Sequence, residues 1–419
     1  MFVGFVNFVE FAIFPMTVAI IGGGASGMAA ALAAAENENA QVLLFERQAR
    51  LGKKLLATGN GRCNLTNLGA KPQNYHGDQA DFAESALAKY NVEHTLQWFA
   101  DLGLYTVAEA SGRVYPYSDQ ANSVLDVLRF ALEKPNIQVF TGCEVSKVKF
   151  CDPGFSVTTE EETFFCHKLI IACGGLAGTK LGGSMSGYKL LQKFGHKVTK
   201  LRPTLVQIKS DWSHCVSLKG VRAECGVDIY RDAERYASSR GEIQFTEHGV
   251  SGPVIFEISR DVCREKGAWV CSLNLLPDAA VETILPMLQK KQQTKLAAED
   301  LFTGILHNRL GRVVVKEAGI SLHAPISQLE DWELEKACRT AMKLEIPLTE
   351  PMGMDSAQVT AGGIVTSDFD PETMESRLVP GLYACGEVLD IDGDCGGFNL
   401  QWAWSSGRCA GCAAGKETV

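Results

Sequence analysis

Residues 17–35 read TVAIIGGGASGMAAALAAA, and this stretch decides the fold. Its first five residues are rich in β-branched side chains and predict a buried strand, and Met28–Ala35 is strongly helix-forming. Between them lies the pattern Gly-x-Gly-x-x-Gly, formed by Gly22, Gly24 and Gly27. In this context the first glycine permits a tight turn, the second lets the backbone approach a pyrophosphate, and the third lets the helix pack against the strand. The N–H groups and positive potential of the helix N-terminus would then face the phosphates.

A second predicted strand, Gln41–Phe45, ends in Glu46. Its carboxylate stands about 20 residues beyond the glycines, where a ribose hydroxyl is usually held. Strand, glycines, helix, strand and acid together predict a dinucleotide-binding α/β domain. The pattern alone does not separate NAD from FAD.

The loop that follows, residues 52–67, reads GKKLLATGNGRCNLTN. Its small residues would let the backbone come close to a flat ring system or a diphosphate. Its charged side chains, Lys53, Lys54 and Arg62, suit phosphate. Its amide side chains, Asn60 and Asn64, offer both donors and acceptors to polar ring atoms. The alternative is an ordinary solvated loop.

Two distant segments favour FAD. Residues 168–175 (KLIIACGG) and 381–387 (GLYACGE) are each a predicted strand ending in glycine, and the second adds Glu387. A glycine loop and a small-residue helix follow. A flavoprotein with two dinucleotide folds needs such a returning strand, whose acid can hold the ribitol chain. The helix N-terminus would stabilise negative charge on a reduced flavin.

The chain resembles the BaiN/RdsA family of FAD-dependent oxidoreductases, flavoproteins also labelled aminoacetone-oxidase-like, over residues 16–419. The resemblance rests on five ordered motifs, IIGGGASG, GKKLLATGNGRCNLTN, IIACGGLAGTKLGGSMSGY, GEIQFTEHGVSGP and GLYACGEVLDIDGDCGGFNLQWAWSSG. It implies an α/β fold, with an FAD-binding Rossmann domain of the two-dinucleotide-fold type, an inserted β-barrel-like domain and a helical subdomain. It also implies that residues 58–64 lie close to the flavin ring.

The patterns and the resemblance together predict a set of FAD contacts. The predicted cofactor-binding residues are Gly22, Gly24, Ala25, Ser26, Gly27, Glu46, Arg47, Lys54, Thr58, Gly59, Arg62, Cys63, Asn64, Val145, Gly174, Gly386, Glu387, Gly397, Asn399 and Leu400.

We predict the domain borders from the same motifs. Residues 16–195 and 352–419 would form a discontinuous FAD-binding domain, and 196–351 an inserted domain, β-rich over about 200–275 and helical over about 280–345. Residues 1–15 are an apolar extension, interpreted as an upstream start rather than a membrane anchor. A second Gly-x-Gly-x-x-Gly is absent from the sequence. NAD(P)H would therefore visit the flavin transiently, or the substrate itself would reduce the flavin.

Cys63 and His248 are the candidate catalytic residues. Cys63 could protonate a carbon while the flavin delivers hydride to its neighbour, and His248 could bind the substrate or relay a proton. The alternative for Cys63 is packing under the ring, and for His248 a surface or locally hydrogen-bonded role. Relatives often carry histidine one place earlier, where this chain has Glu247, so the family's role does not transfer directly to His248.

Two further patterns suggest other chemistry. Asp390, Asp392 and Asp394 alternate but lack the remaining pattern of a calcium loop, so we predict no metal site. Cys409 and Cys412 form C-x-x-C inside the final predicted helix. They could form a redox dithiol, but small buried thiols are the prediction.

Composition limits the partners and the compartment. The net charge of −9 gives no global basic field that would attract nucleic acid or an anionic membrane. The 14 cysteines are scattered and no secretory signal precedes them, which predicts reduced thiols and a cytoplasmic protein.

The resemblance implies NAD(P)H-driven reduction of an activated C=C bond, in an unsaturated 3-oxo steroid or bile-acid-like substrate or in a uridine of rRNA. A small molecule is the first expected partner and rRNA the second, with no membrane partner and the oligomeric state open. One alternative is a small-amine oxidase that produces peroxide. Another is a flavin-bearing RNA-binding or structural protein that uses Arg202, Lys209, Lys219 and Arg222.

Overall fold

The structure is a computed structural model, and it describes residues 16–416. The predicted extension over residues 1–15 lies outside the described residues. The chain divides into two compact units, Met1–Arg202 with Gln358–Val419, and Pro203–Ala357. The domain borders predicted from the motifs, after residues 195 and 351, lie several residues before these divisions. The assignment of an FAD domain and an inserted domain to the two units stays a prediction.

The strands and helices are numbered in chain order. The strands are β1 Met16–Ile21, β2 Ala40–Glu46, β3 Thr66–Asn67, β4 Tyr75–His76, β5 Thr106–Ala108, β6 Arg113–Pro116, β7 Ile137–Thr141, β8 Lys147–Cys151, β9 Gly154–Thr158, β10 Thr163–Cys166, β11 Lys168–Ile171, β12 Arg202–Thr204, β13 Ile208–Lys209, β14 Arg222–Arg231, β15 Glu234–Phe245, β16 Gly249–Ser251, β17 Trp269–Asn274, β18 Leu344–Leu348, β19 Val359–Ala361, β20 Leu382–Ala384 and β21 Asp392–Gly393. The α-helices are α1 Ala25–Ala34, α2 Ala83–Lys89, α3 Val92–Asp101, α4 Ala121–Ala131, α5 Ser186–Gln192, α6 Cys215–Leu218, α7 Pro253–Arg264, α8 Val281–Lys290, α9 Asn308–Glu317, α10 Asp331–Met342 and α11 Phe398–Ala414.

A five-stranded parallel sheet forms the centre of the first unit, in the order β20-β11-β1-β2-β7. In β1, Ile20 aligns with Leu44 of β2 on one side and with Ile170 of β11 on the other. Its side chain is fully buried, as expected for a parallel strand covered on both faces. The strand β20, which begins at Leu382, pairs with β11 and so completes the sheet. The predicted α/β Rossmann fold with a returning C-terminal strand is therefore confirmed.

Glycines bring helix α11 into close contact with helix α1. A Cβ on Gly407 would lie 2.4 Å from the carbonyl oxygen of Ser26, and one on Gly411 would lie 2.2 Å from that of Ala30. A Cβ on Gly415, directly after α11, would lie 2.7 Å from the carbonyl oxygen of Ala34. Residues four apart share one face of a helix, so these glycines form a continuous contact surface. This packing fixes the positions of the N-termini of both helices.

The second unit contains a six-stranded antiparallel sheet in the order β13-β16-β15-β14-β17-β18. Its two edges are joined, because Thr349 N donates to Lys209 O (2.9 Å) and Lys209 N donates to Glu350 O (2.8 Å). The sheet is thus nearly closed, which confirms the barrel-like prediction. Leu205 has φ +49°, and this left-handed conformation interrupts an extended chain.

Candidate functional site

The glycine-rich turn leaves open space above the N-terminus of α1. Gly22 has φ +113°, and no side chain of the described residues caps α1 at Gly24. A Cβ added to Gly24 would meet no atom within 4 Å, whereas one on Gly27 would lie 1.8 Å from the carbonyl oxygen of Gly22. Gly27 therefore permits the close helix packing, and Gly24 keeps a cradle open at the positive end of the helix. Uncapped N–H groups in such a cradle suit a phosphate.

Glu46, at the end of β2, lies against the glycine turn. Its Oε2 accepts a hydrogen bond from Gly23 N (2.8 Å), and its Oε1 accepts one from Gln48 N (2.7 Å). The neighbouring Arg47 donates from Nη2 to the carbonyl oxygen of Gly182 (2.7 Å). Val145 is buried in the core of the same unit. The acid that we predict for a ribose is thus held in a defined position beside the cradle.

Lys54 and Glu387 form an ion pair that joins the glycine-rich loop to the returning strand. The distance from Lys54 Nζ to Glu387 Oε2 is 2.8 Å, across 333 residues of sequence. The other carboxylate oxygen accepts a hydrogen bond from Thr360 N (2.8 Å). A Cβ on Gly175 would lie 2.5 Å from that oxygen, so this glycine leaves room for the carboxylate. Two predicted cofactor contacts from opposite ends of the chain are therefore neighbours.

The loop over residues 58–64 turns sharply and ends in a buried amide. Gly59 has φ +56°, Cys63 has φ +62°, and Thr58 Oγ1 donates to the carbonyl oxygen of Leu55 (2.6 Å). Asn64 is only 8% exposed, and its buried Oδ1 has no hydrogen-bond partner among residues 16–416. An unsatisfied buried acceptor costs about 1–3 kcal/mol. The loop thus carries an acceptor that a bound N–H donor would satisfy.

The start of α11 packs against this loop. Gly397 has φ +104°, and a Cβ there would lie 2.9 Å from Asn64 Oδ1. Asn399 holds the preceding turn, since its Nδ2 donates to Gly393 O (2.8 Å) and its Oδ1 accepts from Gly393 N (2.8 Å). Leu400 packs against the core. No side chain of the described part caps the N-terminus of α11, which leaves its positive end available.

The fingerprint helix and the returning strand also touch. A Cβ on Gly386 would lie 2.4 Å from Ser26 Oγ, and Ala25 is the first residue of α1. Gly174, at the end of β11, has φ +69° and open space where a Cβ would stand. These predicted residues therefore lie where the carboxyl ends of β1, β11 and β20 meet, which is the usual ligand-binding edge of a parallel sheet.

Arg62 has partners of its own. Its Nε pairs with Asp119, its Nη2 lies 2.9 Å from Glu109 Oε1, and its guanidinium carbon lies 3.9 Å from the centroid of the Tyr115 ring. These two carboxylates raise the pKa of Arg62 further above its usual value. A contact of Arg62 with a cofactor phosphate stays a prediction.

The two candidate catalytic residues differ in their surroundings. Cys63 is fully buried, and burial raises the pKa of its thiol to about 12. The thiol is therefore protonated at neutral pH. His248 is exposed and lies in the second unit, in a turn where Thr246 N donates to Gly249 O (2.8 Å). Catalytic roles for both residues stay predictions.

Asp394, one of the alternating acids, and Cys412 of the C-x-x-C each have a polar neighbour. Asp394 contacts His76 Nε2 (2.7 Å) through one oxygen and Asn74 Nδ2 (2.9 Å) through the other. Within residues 16–416 no group of three or more potential ligand side chains is arranged for a metal. Cys412 Sγ lies 3.1 Å from the hydroxyl of Tyr90, and Cys409 is fully buried. Over the same residues, no helix is long and apolar enough to cross a bilayer.

Several residues that position the site were not identified from the sequence. Thr360 Oγ1 accepts from Ala177 N (2.8 Å) while its own N–H holds Glu387. Ser406 Oγ accepts from Gly386 N (3.0 Å), and Trp402 Nε1 donates to Gly386 O (3.1 Å). A threonine, a serine and a tryptophan carry no local signature of such a role. Only the contacts across the sheet reveal it.

Comparison with known proteins identifies the family. The model of the HI0933-like protein Rossmann domain matches residues 16–413. The 3-dehydro-bile acid delta(4,6)-reductase of Clostridium scindens is 37% identical over 410 residues, covering 96% of this chain and 99% of that protein. The ribosomal RNA dihydrouridine synthase of Escherichia coli is 34% identical over 394 residues, covering 92% of this chain and 95% of that protein.

Among solved structures, the open conformation of a flavocytochrome c3 fumarate reductase aligns with 96% of this chain and 78% of its own, at 15% identity and a TM-score of 0.46. The family match and the two enzyme relatives confirm the family predicted from the five motifs and the prediction of an oxidoreductase. Both relatives are matched over nearly their whole length, so the match is not confined to the nucleotide-binding motif. The chain belongs to the HI0933-like Rossmann family.

Proposed function

We propose that this protein is an FAD-dependent reductase of an activated carbon–carbon double bond, with NAD(P)H as its electron source. The observation that carries the cofactor assignment is the open cradle at Gly24, above the uncapped N-terminus of α1. The names of the two relatives support the reaction, because a delta(4,6)-reductase and a dihydrouridine synthase both saturate a carbon–carbon double bond.

The residues present fit FAD. The N–H groups at the start of α1 would bind the diphosphate, and Glu46 would accept from a ribose hydroxyl. Glu387, fixed by Lys54 and Thr360 N, would accept from the ribitol chain. Asn64 Oδ1, buried without a partner in the described part of the chain, would accept from a polar N–H of the ring system.

The bound flavin would supply hydride to one carbon of the double bond. The chain must then supply a proton to the neighbouring carbon. Cys63 lies in the loop next to Asn64 and carries a proton at neutral pH, but its pKa of about 12 is far from the value near 7 that favours proton transfer. Its burial favours a packing role, and the donor is then another group or a water molecule.

An α,β-unsaturated ketone in a small molecule is the proposed substrate class. Such a substrate is polarised towards hydride addition, as is the C5–C6 bond of uridine. The net charge of −9 favours the small molecule, because RNA binding would require a local basic surface to overcome the overall repulsion.

The test is an anaerobic half-reaction followed by reoxidation. The purified yellow protein is mixed with NADH and, separately, with NADPH while the flavin absorbance is followed. We then expect the reduced protein to be reoxidised by an unsaturated 3-oxo steroid faster than by a uridine-containing rRNA fragment. Two results together would contradict the proposal. One is bleaching by an amine with peroxide formation in air, and the other is no bleaching by either nicotinamide, even with the steroid present.

A further inference from the structure

A recess of about 240 Å³ lies in the first unit, away from the glycine turn. It is formed by the end of α2, one face of α3 and the third turn of α11. The residues that determine its chemistry are Lys89, Tyr90, His94, Trp98 and Arg408. The proposed reductase function uses none of them.

Two aromatic rings hold Arg408 in place. Its guanidinium carbon lies 4.2 Å from the centroid of the Tyr90 ring and 5.3 Å from that of the Trp98 ring. The side chain is partly buried. Cation–π contacts fix the position of a guanidinium without satisfying its N–H donors. The rings therefore preorganise this cation for a further partner.

That partner is missing from the described residues. Within residues 16–416 no carboxylate forms an ion pair with Arg408, and none does so with Lys89, whose ammonium lies 5.6 Å from the Tyr90 centroid. The acid in the recess, Asp101, accepts a hydrogen bond from Gln97 Nε2 (2.8 Å). An arginine, a lysine and a histidine thus line the recess, and its one carboxylate already accepts a hydrogen bond from Gln97.

We propose that this recess binds the phosphate monoester group of a small organic molecule, with Arg408 as the bidentate donor and Lys89 as the second cation. A dianion with three acceptor oxygens matches two cations better than a monocarboxylate does. The volume lies below the range of about 300–1,000 Å³ typical of drug-sized ligands, so it suits a phosphate with a short carbon body. The edges of Tyr90 and Trp98 would contact that body.

This site is separate from the cofactor cradle and goes beyond the reductase function. Arg408 follows the first residue of α11, Phe398, by about 15 Å along the helix axis, because each residue adds 1.5 Å. Flavin and phosphate monoester would therefore bind at the same time. Loss of monoester binding would therefore leave flavin binding measurable, and loss of flavin binding would leave monoester binding measurable.

Isothermal titration of the flavin-loaded protein with glycerol 3-phosphate at low salt tests the proposal, with glycerol and acetate as ligand controls. We expect saturable binding of glycerol 3-phosphate and no binding of glycerol or acetate. Arg408→Gln should weaken it at least tenfold, since a charge-assisted bidentate pair is lost. Lys89→Gln should weaken it about threefold. The matched control is Arg129→Gln, since Arg129 is an exposed arginine of the same unit paired with Asp126. This variant should bind glycerol 3-phosphate with the affinity of the wild type.

Thermal unfolding and the flavin absorbance of each variant show whether it is folded. If the Arg408→Gln protein is not folded, the Lys89→Gln variant decides the test, because Lys89 is exposed. The proposal is overturned if the wild-type protein does not bind glycerol 3-phosphate at about 10 mM, or if the folded variants bind it as tightly as the wild type. It is equally overturned if an RNA oligonucleotide binds through Arg408 and the monoester does not.

Discussion

Gly24→Val should abolish flavin binding without unfolding the protein. Gly24 has φ −81° and ψ −169°, an extended conformation that valine adopts readily, and its Cβ would meet no atom within 4 Å. The less favourable N-cap costs about 1 kcal/mol. The reduced freedom of the unfolded chain offsets this by about 0.4–1 kcal/mol. The free energy of unfolding of the flavin-free protein should therefore stay within about 1 kcal/mol of the wild type.

The effect on flavin affinity should be much larger. The isopropyl group would occupy the cradle and keep a phosphate from two N–H groups at the start of α1. Hydrogen bonds to a charged group contribute about 1.5–3 kcal/mol each, so the loss is about 3–6 kcal/mol. This corresponds to roughly a 10²- to 10⁴-fold increase in Kd. Titration of the flavin-free protein with FAD, followed by flavin fluorescence, measures it.

The matched control is Gly27→Val, three residues further along. Its Cβ would stand 1.8 Å from the carbonyl oxygen of Gly22, so this variant should lose the fold as well as the flavin. The comparison separates a binding defect from a folding defect. If Gly24→Val purified with one flavin per chain and wild-type affinity, the assignment of the phosphate cradle would be wrong.

Further predictions concern packing, the ion pair, pH and the thiol. Gly411→Leu, whose Cβ would stand 2.2 Å from a carbonyl oxygen of α1, should lower the free energy of unfolding by about 3 kcal/mol or more in urea titration. Lys54→Met should change stability by less than about 1 kcal/mol, because the pair with Glu387 is partly exposed, but should weaken FAD binding about tenfold in the fluorescence titration. Burial lowers the pKa of His196 below its ordinary value of 6.5, so the unfolded chain binds the proton more readily. Stability should then fall as the pH drops from 6.5 through the folded-state pKa, and the urea midpoint of His196→Gln should depend less on pH. Cys63→Ala should keep flavin and turnover within about threefold, whereas a general acid contributes about 10²- to 10⁴-fold to the rate.

The glycine fingerprint was predictable because its constraints are local. A β-branched run, a turn that needs positive φ at Gly22 and an alanine-rich helix each follow from backbone sterics within a few residues. The returning strand near Tyr383 was recognisable for the same reason, as a short apolar run ending in glycine. Parallel-sheet topology then placed it beside β11.

The partners of the charged residues were not predictable. The loop composition predicts a phosphate contact for Arg62, and the structure adds ion pairs with Glu109 and Asp119. Lys54, from the same loop, forms an ion pair with Glu387. Nothing local distinguishes these two cations in the sequence. Their partners depend on where the loop packs against strands far away in the chain.

The sequence by itself determined the dinucleotide-binding turn, the parallel α/β fold and the family, since these depend on local conformational preferences and on five ordered motifs. The tertiary structure alone decided the contact of α11 with α1, the buried acceptor of Asn64 and the cation–π contacts of Arg408 with two rings. Each depends on residues that are distant in sequence and that only the sheet order and the helix packing bring together. The energy of such contacts comes from burial and close approach in three dimensions, which no local pattern of residue types specifies.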